Sequence, residues 1–311
     1  MAKTKLNAPA CQSSSALNKL HDFTTIIKEW TLWSLQLKTA PTLIDSFLQG
    51  KTNKSYLLKS DLGRIVLRIN AANSQELGLN RAQEISFHRA ASEADLAPSL
   101  IYTDPEERYI VKFYAEGEIW LLGDTDEVRH QQIFNIAKQF AKVHSLPIET
   151  EAINYLALAR YYWQQIEFTH SDFGGLILPL FSQIESFFQS FQENLRDVKP
   201  CHHDPVVENL INTQNGLQII DWEYATCGCP WFDLAVFADS AKLNEAQTEE
   251  LIEHYAHHAN FIGDGAARYQ QALKCFHYLD LLWHCVQGYN INVLSNKLQR
   301  WGQITPRGRS L

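Results

Sequence analysis

The chain has 311 residues, 45% hydrophobic, 12% aromatic and 20% charged, enough apolar material for one large core or two packed lobes and too much for wholesale disorder. Lys and Arg number 27 against 35 Asp and Glu, a formal net charge of −8, which repels phosphate backbones and argues against nucleic acid as the main ligand. No run of about eighteen apolar residues occurs and the lysines near Met1 lead into no hydrophobic stretch, so a membrane span and a secretory signal are not expected and a cytoplasmic location is.

Residues 1–16 are polar, with Ser13, Ser14 and Ser15 together, and predict a disordered tail. From Leu17 to Trp33 the apolar positions Leu20, Phe23, Ile26, Ile27 and Trp30 predict an amphipathic helix. Tyr56-Leu57-Leu58 and Arg64 to Ile69 flank Asp61-Leu62-Gly63 and predict a hairpin. Asn80 can cap a helix running to about Glu93, ended near Pro98. Leu100 to Tyr102 and Arg108 to Phe113 read as strands joined by Asp104-Pro105-Glu106-Glu107, so residues 50–114 form a small sheet with one helix.

Beyond Gly117 the pattern turns helical, with Val128, Ile133, Phe134, Ala137, Phe140 and Ala141 on one face of a helix stopped near Pro147. Further helical patterns lie at about 151–168, 179–196, 245–259 and 266–288. One β insertion interrupts them, Asn209 to Ile211 and Leu217 to Ile220 around the turn Asn215-Gly216. The predicted architecture is α+β, an N-terminal lobe over 17–114 and a larger, mainly helical C-terminal lobe over 115–311.

Six cysteines in so long a chain do not make a disulfide framework. Cys201, His202, His203, Cys227 and Cys229 have the residue types of a zinc site. Their Cys-x-Cys and His-His spacings miss the usual gaps of about two to four residues, so buried, reduced cysteines are expected.

The chemistry-bearing residues flank the Asn-Gly hairpin. Before it stands His202-His203-Asp204-Pro205-Val206-Val207-Glu208-Asn209, and after it Asp221-Trp222-Glu223. An Asp, an Asn five residues on, and an Asp at the end of the hairpin place three oxygen-bearing side chains at one sheet edge. Phosphoryl transfer needs such a set: one carboxylate to accept the proton of the attacking hydroxyl, an amide oxygen and a second carboxylate to hold Mg²⁺ on the phosphates. In that scheme Asp204 is the base and Asn209 and Asp221 are metal ligands.

The motifs His-x-Asp-x-x-x-x-Asn at 202–209, Ile-Asp-Trp-Glu-Tyr-Ala at 220–225 and Phe232-Asp233-Leu234-Ala235 resemble those of the aminoglycoside phosphotransferase and choline kinase superfamily. The resemblance spans roughly residues 43–290 and implies a bilobal protein-kinase-like fold using ATP and Mg²⁺. It implies that His202 orients the catalytic loop and that Asp233 braces it. It also implies nucleotide contacts from Asn53, in the turn Gly50-Lys51-Thr52-Asn53, from Arg68 paired with Glu84, and from Lys112, Tyr114 and Glu116 in the hinge segment. His144 falls in a stretch similar to the family's Leu-His-Ser-Leu-Pro segment, with Val143 in place of Leu. Two departures stand out: Pro205 directly follows the proposed base, and Cys229 replaces the Asp of the family's Gly-Asp-Pro.

The Trp-Glu-Tyr-Ala continuation looks most like the choline kinase and thiamine kinase branches, which imply a primary alcohol on a small cation. Glu223 and the aromatic faces of Trp222, Trp163 and Trp283 are the expected substrate contacts, since a ring face attracts a desolvated cation by about 0.5–2 kcal/mol. Core packing is the competing expectation for each aromatic. An aminoglycoside or sugar kinase of the same fold and a nucleotide-binding scaffold without turnover are the alternatives. Oligomeric state and the choice of ATP over GTP stay open.

Overall fold

The computed structural model describes residues 23–47, 53–71, 79–169 and 171–287, with backbone alone for 167–180 and 182. The expected tail over 1–16, the first residues of the predicted Leu17–Trp33 helix and Gly50-Lys51-Thr52 lie outside the described residues. The chain divides into two compact units, residues 1–81 with 100–114, and 82–99 with 115–311.

The first unit begins with one α turn, α1 (Phe23–Ile26), which tightens into a 3₁₀ segment, Ile27–Leu32. Thr24, Thr25, Ile26 and Ile27 form a β-branched run whose stiff side chains work against a longer α-helix. Five antiparallel strands follow, β1 (Thr42–Phe47), β2 (Asn53–Ser60), β3 (Gly63–Asn70), β4 (Leu100–Thr103) and β5 (Tyr109–Phe113), in the order β1-β2-β3-β5-β4. The hairpin turn is made by Gly63, whose φ of +95° excludes most side chains. Strand β1 carries an almost wholly exposed face pattern, which is why no apolar alternation announced it.

Alternation sorts the central strands. Leu58, Ile65, Leu67, Ile69, Tyr109 and Val111 form the core with Ile26, Trp33 and Leu37. The opposite face is set by register: Asn53 pairs Asn70 and Ser55 pairs Arg68, while Arg68 pairs Ile110 and Val66 pairs Lys112. Asn53, Arg68 and Lys112 therefore share one face, because directly paired residues point the same way.

An ion-pair network ties the N-terminal segment to this sheet. Arg108 makes paired bonds to Glu29 at 2.9 Å each and reaches Asp104 Oδ1 at 2.6 Å, while the Tyr109 hydroxyl donates to Glu29 at 2.7 Å. The Arg108 hydrogen bonds hold Glu29 below the usual carboxylate range. Burial pushes Asp104 upward, but its bonds to Arg108 outweigh that and leave it lowered.

The second unit holds α2 (Arg81–Glu93) from its second residue on and continues with β6 (Gly117–Ile119), α3 (Asp126–Val143), α4 (Tyr155–Thr169), α5 (Ser171–Glu193) and β7 (Lys199–Cys201). The expected hairpin follows as β8 (Leu210–Thr213) and β9 (Gly216–Ile219), then β10 (Thr226–Gly228), α6 (Pro230–Ser240), α7 (Glu245–His258) and α8 (Gly265–Val286). Strand β6 adds to the hairpin in the order β6-β8-β9, and β10 pairs antiparallel with β7. Helix α6 is apolar on nearly all sides and is the centre of the core, with Trp231, Leu234, Ala235 and Phe237 buried. Helix α2 is fastened to this unit: Gln83 donates to the Ala225 carbonyl at 2.9 Å, and Ile219 N–H donates to Leu96 O at 2.7 Å. Among the described residues no helix is long and apolar enough to cross a membrane.

Arg108→Ala strands the buried Asp104 charge and is expected to cost about 3 kcal/mol at pH 7. Both carboxylates are depressed in the fold, so this stabilisation is present above their unfolded pKa values and is lost as pH falls through the lower folded ones. Urea midpoints of wild type and variant, separated at neutral pH, should converge in acid.

Candidate active site

The loop from Cys201 to Asn209 is hung on one buried carboxylate. Asp233, in the first turn of α6 and 0% exposed, accepts the His202 N–H at Oδ2 and the His203 N–H at Oδ1, both at 2.8 Å. His144, next to the end of α3, adds Nε2 at 3.1 Å from Oδ2, and its Nδ1 lies 2.8 Å from the Tyr255 hydroxyl. Burial opposes the Asp233 charge, yet the His144 hydrogen bond and the neighbouring imidazoles outweigh it and hold the carboxyl below its usual range.

His202 is the second fixture. Its Nδ1 accepts the Asp204 N–H at 3.2 Å and its Nε2 lies 3.1 Å from the Ile220 carbonyl, so the neutral Nε2–H tautomer satisfies both ends. Burial pushes its pKa down to about 4, which keeps that tautomer in place at neutral pH. Asn209 Nδ2 donates to Asp204 O at 2.9 Å and approaches Asp204 Oδ2 at 3.3 Å, which reserves the amide oxygen as an acceptor. Ile220 N–H donates to Asn209 O at 2.9 Å and brings the end of the hairpin alongside.

Asp221, the next residue, sits at φ 66°, ψ 63°, a left-handed conformation that Asp tolerates better than most residues. The carboxylates crowd. Burial raises Asp204 well above its ordinary pKa, and the charges of Asp221 and Glu223 raise it further against the opposing Asn209 bond. The carboxylate-rich end of this loop is of the oxygen-donor type that hard divalent cations take.

His203 also has φ > 0, at 65°. Its Nε2 lies 2.9 Å from the Tyr155 hydroxyl, and that oxygen accepts the Cys229 N–H at 2.9 Å. Neither Tyr155 nor Tyr255 carried a sequence signal, because their partners lie 48 and 111 positions away.

The expected substrate aromatics divide. Trp222 is 0% exposed, donates Nε1–H to Ile219 O at 2.9 Å and packs edge-on against His202. It is a core residue, which corrects the expectation of a substrate face. Trp163 is buried too, stacked on Phe181 with centroids 4.5 Å apart. Trp283 is partly buried and hydrogen-bonds the side chain of Tyr224, and it is Tyr224 that feels the charges of Glu223 and Asp204. Glu84 is buried on α2 and Glu116 is exposed, both in the second unit. In the first unit, Asn53 Oδ1 accepts from Arg81 Nη2 at 3.0 Å, Arg68 Nη2 donates to Asn70 Oδ1 at 3.0 Å, and Arg64 lies over the Tyr114 ring at 5.1 Å.

The cysteines follow the bland expectation: the five described are free and buried. Cys201 does meet His144 and Asp233. The trio's donors and acceptors are already engaged: both Asp233 oxygens and both His144 nitrogens are hydrogen-bonded, and the Cys201 thiol, raised by burial, donates to the Lys199 carbonyl at 3.3 Å.

A model of the phosphotransferase enzyme family matches residues 44–271. The chain belongs to that family. LicA of Haemophilus influenzae is 25% identical over 236 residues, 69% of this chain and 63% of the LicA chain, so the match spans under two thirds of that relative. A thiamine kinase of Escherichia coli is 25% identical over 244 residues, 77% of this chain and 80% of that protein. The crystal structure of choline kinase LicA from Streptococcus pneumoniae superposes with a TM-score of 0.68 at 20% identity, covering 91% of this chain and 99% of that one. The fold is thus the α+β, protein-kinase-like fold of this phosphotransferase family.

A Cβ on Gly228 would lie 2.6 Å from the Tyr155 hydroxyl and 2.7 Å from His203 Nε2. Gly228→Ala should therefore break the Tyr155–His203 contact and destabilise the fold by about 1–3 kcal/mol. Thermal unfolding checks this, and an unchanged midpoint would show that the loop relaxes without cost.

Proposed function

We propose that the chain is an ATP- and Mg²⁺-dependent kinase that phosphorylates the hydroxyl of a small cationic alcohol of the choline, ethanolamine or thiamine type. The observation that carries this reading is the Asp204–Asn209–Asp221 arrangement: a base candidate oriented by its neighbours beside an amide oxygen and a second carboxylate. Asp204 takes the proton of the acceptor hydroxyl as its oxygen bonds to the γ-phosphorus. The bond from the γ-phosphorus to the bridging oxygen breaks, ADP leaves, and Asp204 returns the proton to solvent. Asn209 and Asp221 would hold Mg²⁺, which supplies charge neutralisation on the phosphates.

In the first unit, Asn53, Arg68 and Lys112 on one sheet face, with Tyr114 after it, are the proposed nucleotide contacts. His202 and Asp233 position the loop without touching substrate. Glu223, Tyr224 and Trp283 are the groups proposed to receive the cationic nitrogen: a carboxylate and an aromatic ring within electrostatic reach of Asp204, and a second ring bonded to the first. The names of the relatives, LicA and thiamine kinase, support a small-molecule alcohol as acceptor.

Asp204→Ala is expected to lower kcat by about 10²–10⁴ while leaving the KM for ATP near its wild-type value. ADP release measured across choline, ethanolamine and thiamine tests it; nucleotide binding without ADP release for any acceptor would favour the scaffold alternative. Asp221→Asn should abolish the Mg²⁺ dependence of nucleotide affinity, read by titration with and without the metal. Unchanged dependence would remove Asp221 from the ligand set.

A further inference from the structure

The backbone bends left-handed immediately before Asp204, and one hydroxyl from a distant helix meets the bend. Among the described residues six non-glycine residues have positive φ, and four of them, Asp95, Glu107, Lys242 and Asn260, fall just past a helix end or in the β4–β5 turn. His203, at φ 65°, closes neither a helix nor a hairpin. Its bend lets the Asp204 N–H turn back to Nδ1 of His202, two residues earlier, at 3.2 Å. Tyr155, at the start of α4 and 0% exposed, is the part of the core that faces this bend. Its ring stacks on Phe232 with centroids 5.6 Å apart and stands edge-on to Phe191 at 5.3 Å, while its N–H donates to the Gln192 side chain at 3.0 Å. The hydroxyl accepts the Cys229 N–H at 2.9 Å and lies 2.9 Å from Nε2 of His203.

With the Cys229 N–H as its donor, the hydroxyl gives its own proton to His203 Nε2, and the ring takes the neutral Nδ1–H tautomer. Burial keeps both groups in the forms this bond needs. It raises the Tyr155 hydroxyl far above its ordinary range, so the proton stays on, and lowers His203, so the ring stays neutral. His203 Nδ1 is shielded from solvent with no hydrogen-bond partner in line, so the Tyr155 bond is the one that orients the ring. We propose that Tyr155 and His203 form a clasp that sets the direction of Asp204 and are positioning residues for phosphoryl transfer, an assignment that rests on the reading of Asp204 as the base. A return of His203 to an ordinary φ would swing its ring off Tyr155 and carry the Asp204 N–H off His202. The side-chain bond thus opposes the relaxation that a sparsely populated backbone conformation invites. Cys229 immediately precedes α6, so the same hydroxyl registers the bend against the helix whose Asp233 holds the His202 and His203 N–H groups.

Three variants of the full chain test the clasp beside Asp204→Ala in one ADP-release assay. Tyr155→Phe removes the hydroxyl and keeps the stacked ring, His203→Gly keeps the bend accessible and removes the acceptor, and the third combines them. Each single variant is expected to lower kcat by about ten- to hundredfold with KM for ATP near its wild-type value. The double variant should lose no more than the worse single one, because the two residues act through one bond. A merely structural role would lower the unfolding midpoint and leave kcat unchanged wherever circular dichroism shows the variants folded. Amide hydrogen exchange followed by NMR needs no acceptor: exchange at the Asp204 N–H should quicken by about tenfold in either single variant. If Tyr155→Phe does not fold, His203→Gly carries the same comparisons. Unchanged Asp204 exchange in the folded single variants, or wild-type kcat in them while Asp204→Ala is inactive, would overturn the clasp. Full turnover by Asp204→Ala would instead overturn the reading of Asp204 as the base, and the exchange rates would then decide the clasp alone.

Discussion

The Asp233 carboxylate is the interaction on which the rest of the site depends. It takes two consecutive backbone N–H groups, those of His202 and His203, and an imidazole from a distant helix. A charged acceptor bonded this way and wholly buried is strong because the low surrounding dielectric strengthens each bond, and costly to disturb because any lost donor leaves charge uncompensated. The consequence is a loop whose backbone course is fixed before Asp204 is reached. His202 then passes the constraint on, holding the Asp204 N–H with one nitrogen and the Ile220 carbonyl with the other. Two loops that are remote in sequence are thereby registered on each other through a single neutral ring.

A second physical feature works in the opposite sense. Burial first, and then the nearby charges of Asp221 and Glu223, disfavour the charged form of Asp204. Left-handed backbone at His203 and at Asp221 adds local strain on either side of the same point. The surrounding core tolerates both because α6 and the residues beneath it are almost entirely apolar and close-packed, with Trp231, Phe232, Phe237 and Trp222 anchoring it. Rigid apolar packing thus lies beneath the point where the carboxylates converge.

Much of this was legible in the sequence, and for identifiable reasons. The Gly63 and Gly216 hairpins were announced by turn residues, and the long helices by apolar spacing, both of which are local properties. The 3₁₀ segment at Ile27–Leu32 was not, since apolar spacing does not register the stiffness of β-branched neighbours. Exposed β1 and the three-residue strands β6, β7 and β10 have too little pattern to read. Trp222 was misjudged because its sequence neighbours carry the chemistry, while its own side chain turns into the core beneath them.

The sequence by itself determined the types of the longer helices and of the two hairpins, and the motif residues Asp204, Asn209, Asp221 and Asp233, because turn chemistry, helical period and motif spacing act over a few residues. Only the tertiary structure decided which groups hold the motif in place. His144, Tyr155 and Tyr255 meet it across separations of 48 to 111 positions, distances over which no local rule operates. It likewise decided which aromatics are core and which stand near Asp204, and it brought Tyr155 to His203 and Cys229. Those outcomes depend on how helices pack, and packing is a property of the whole core rather than of any segment.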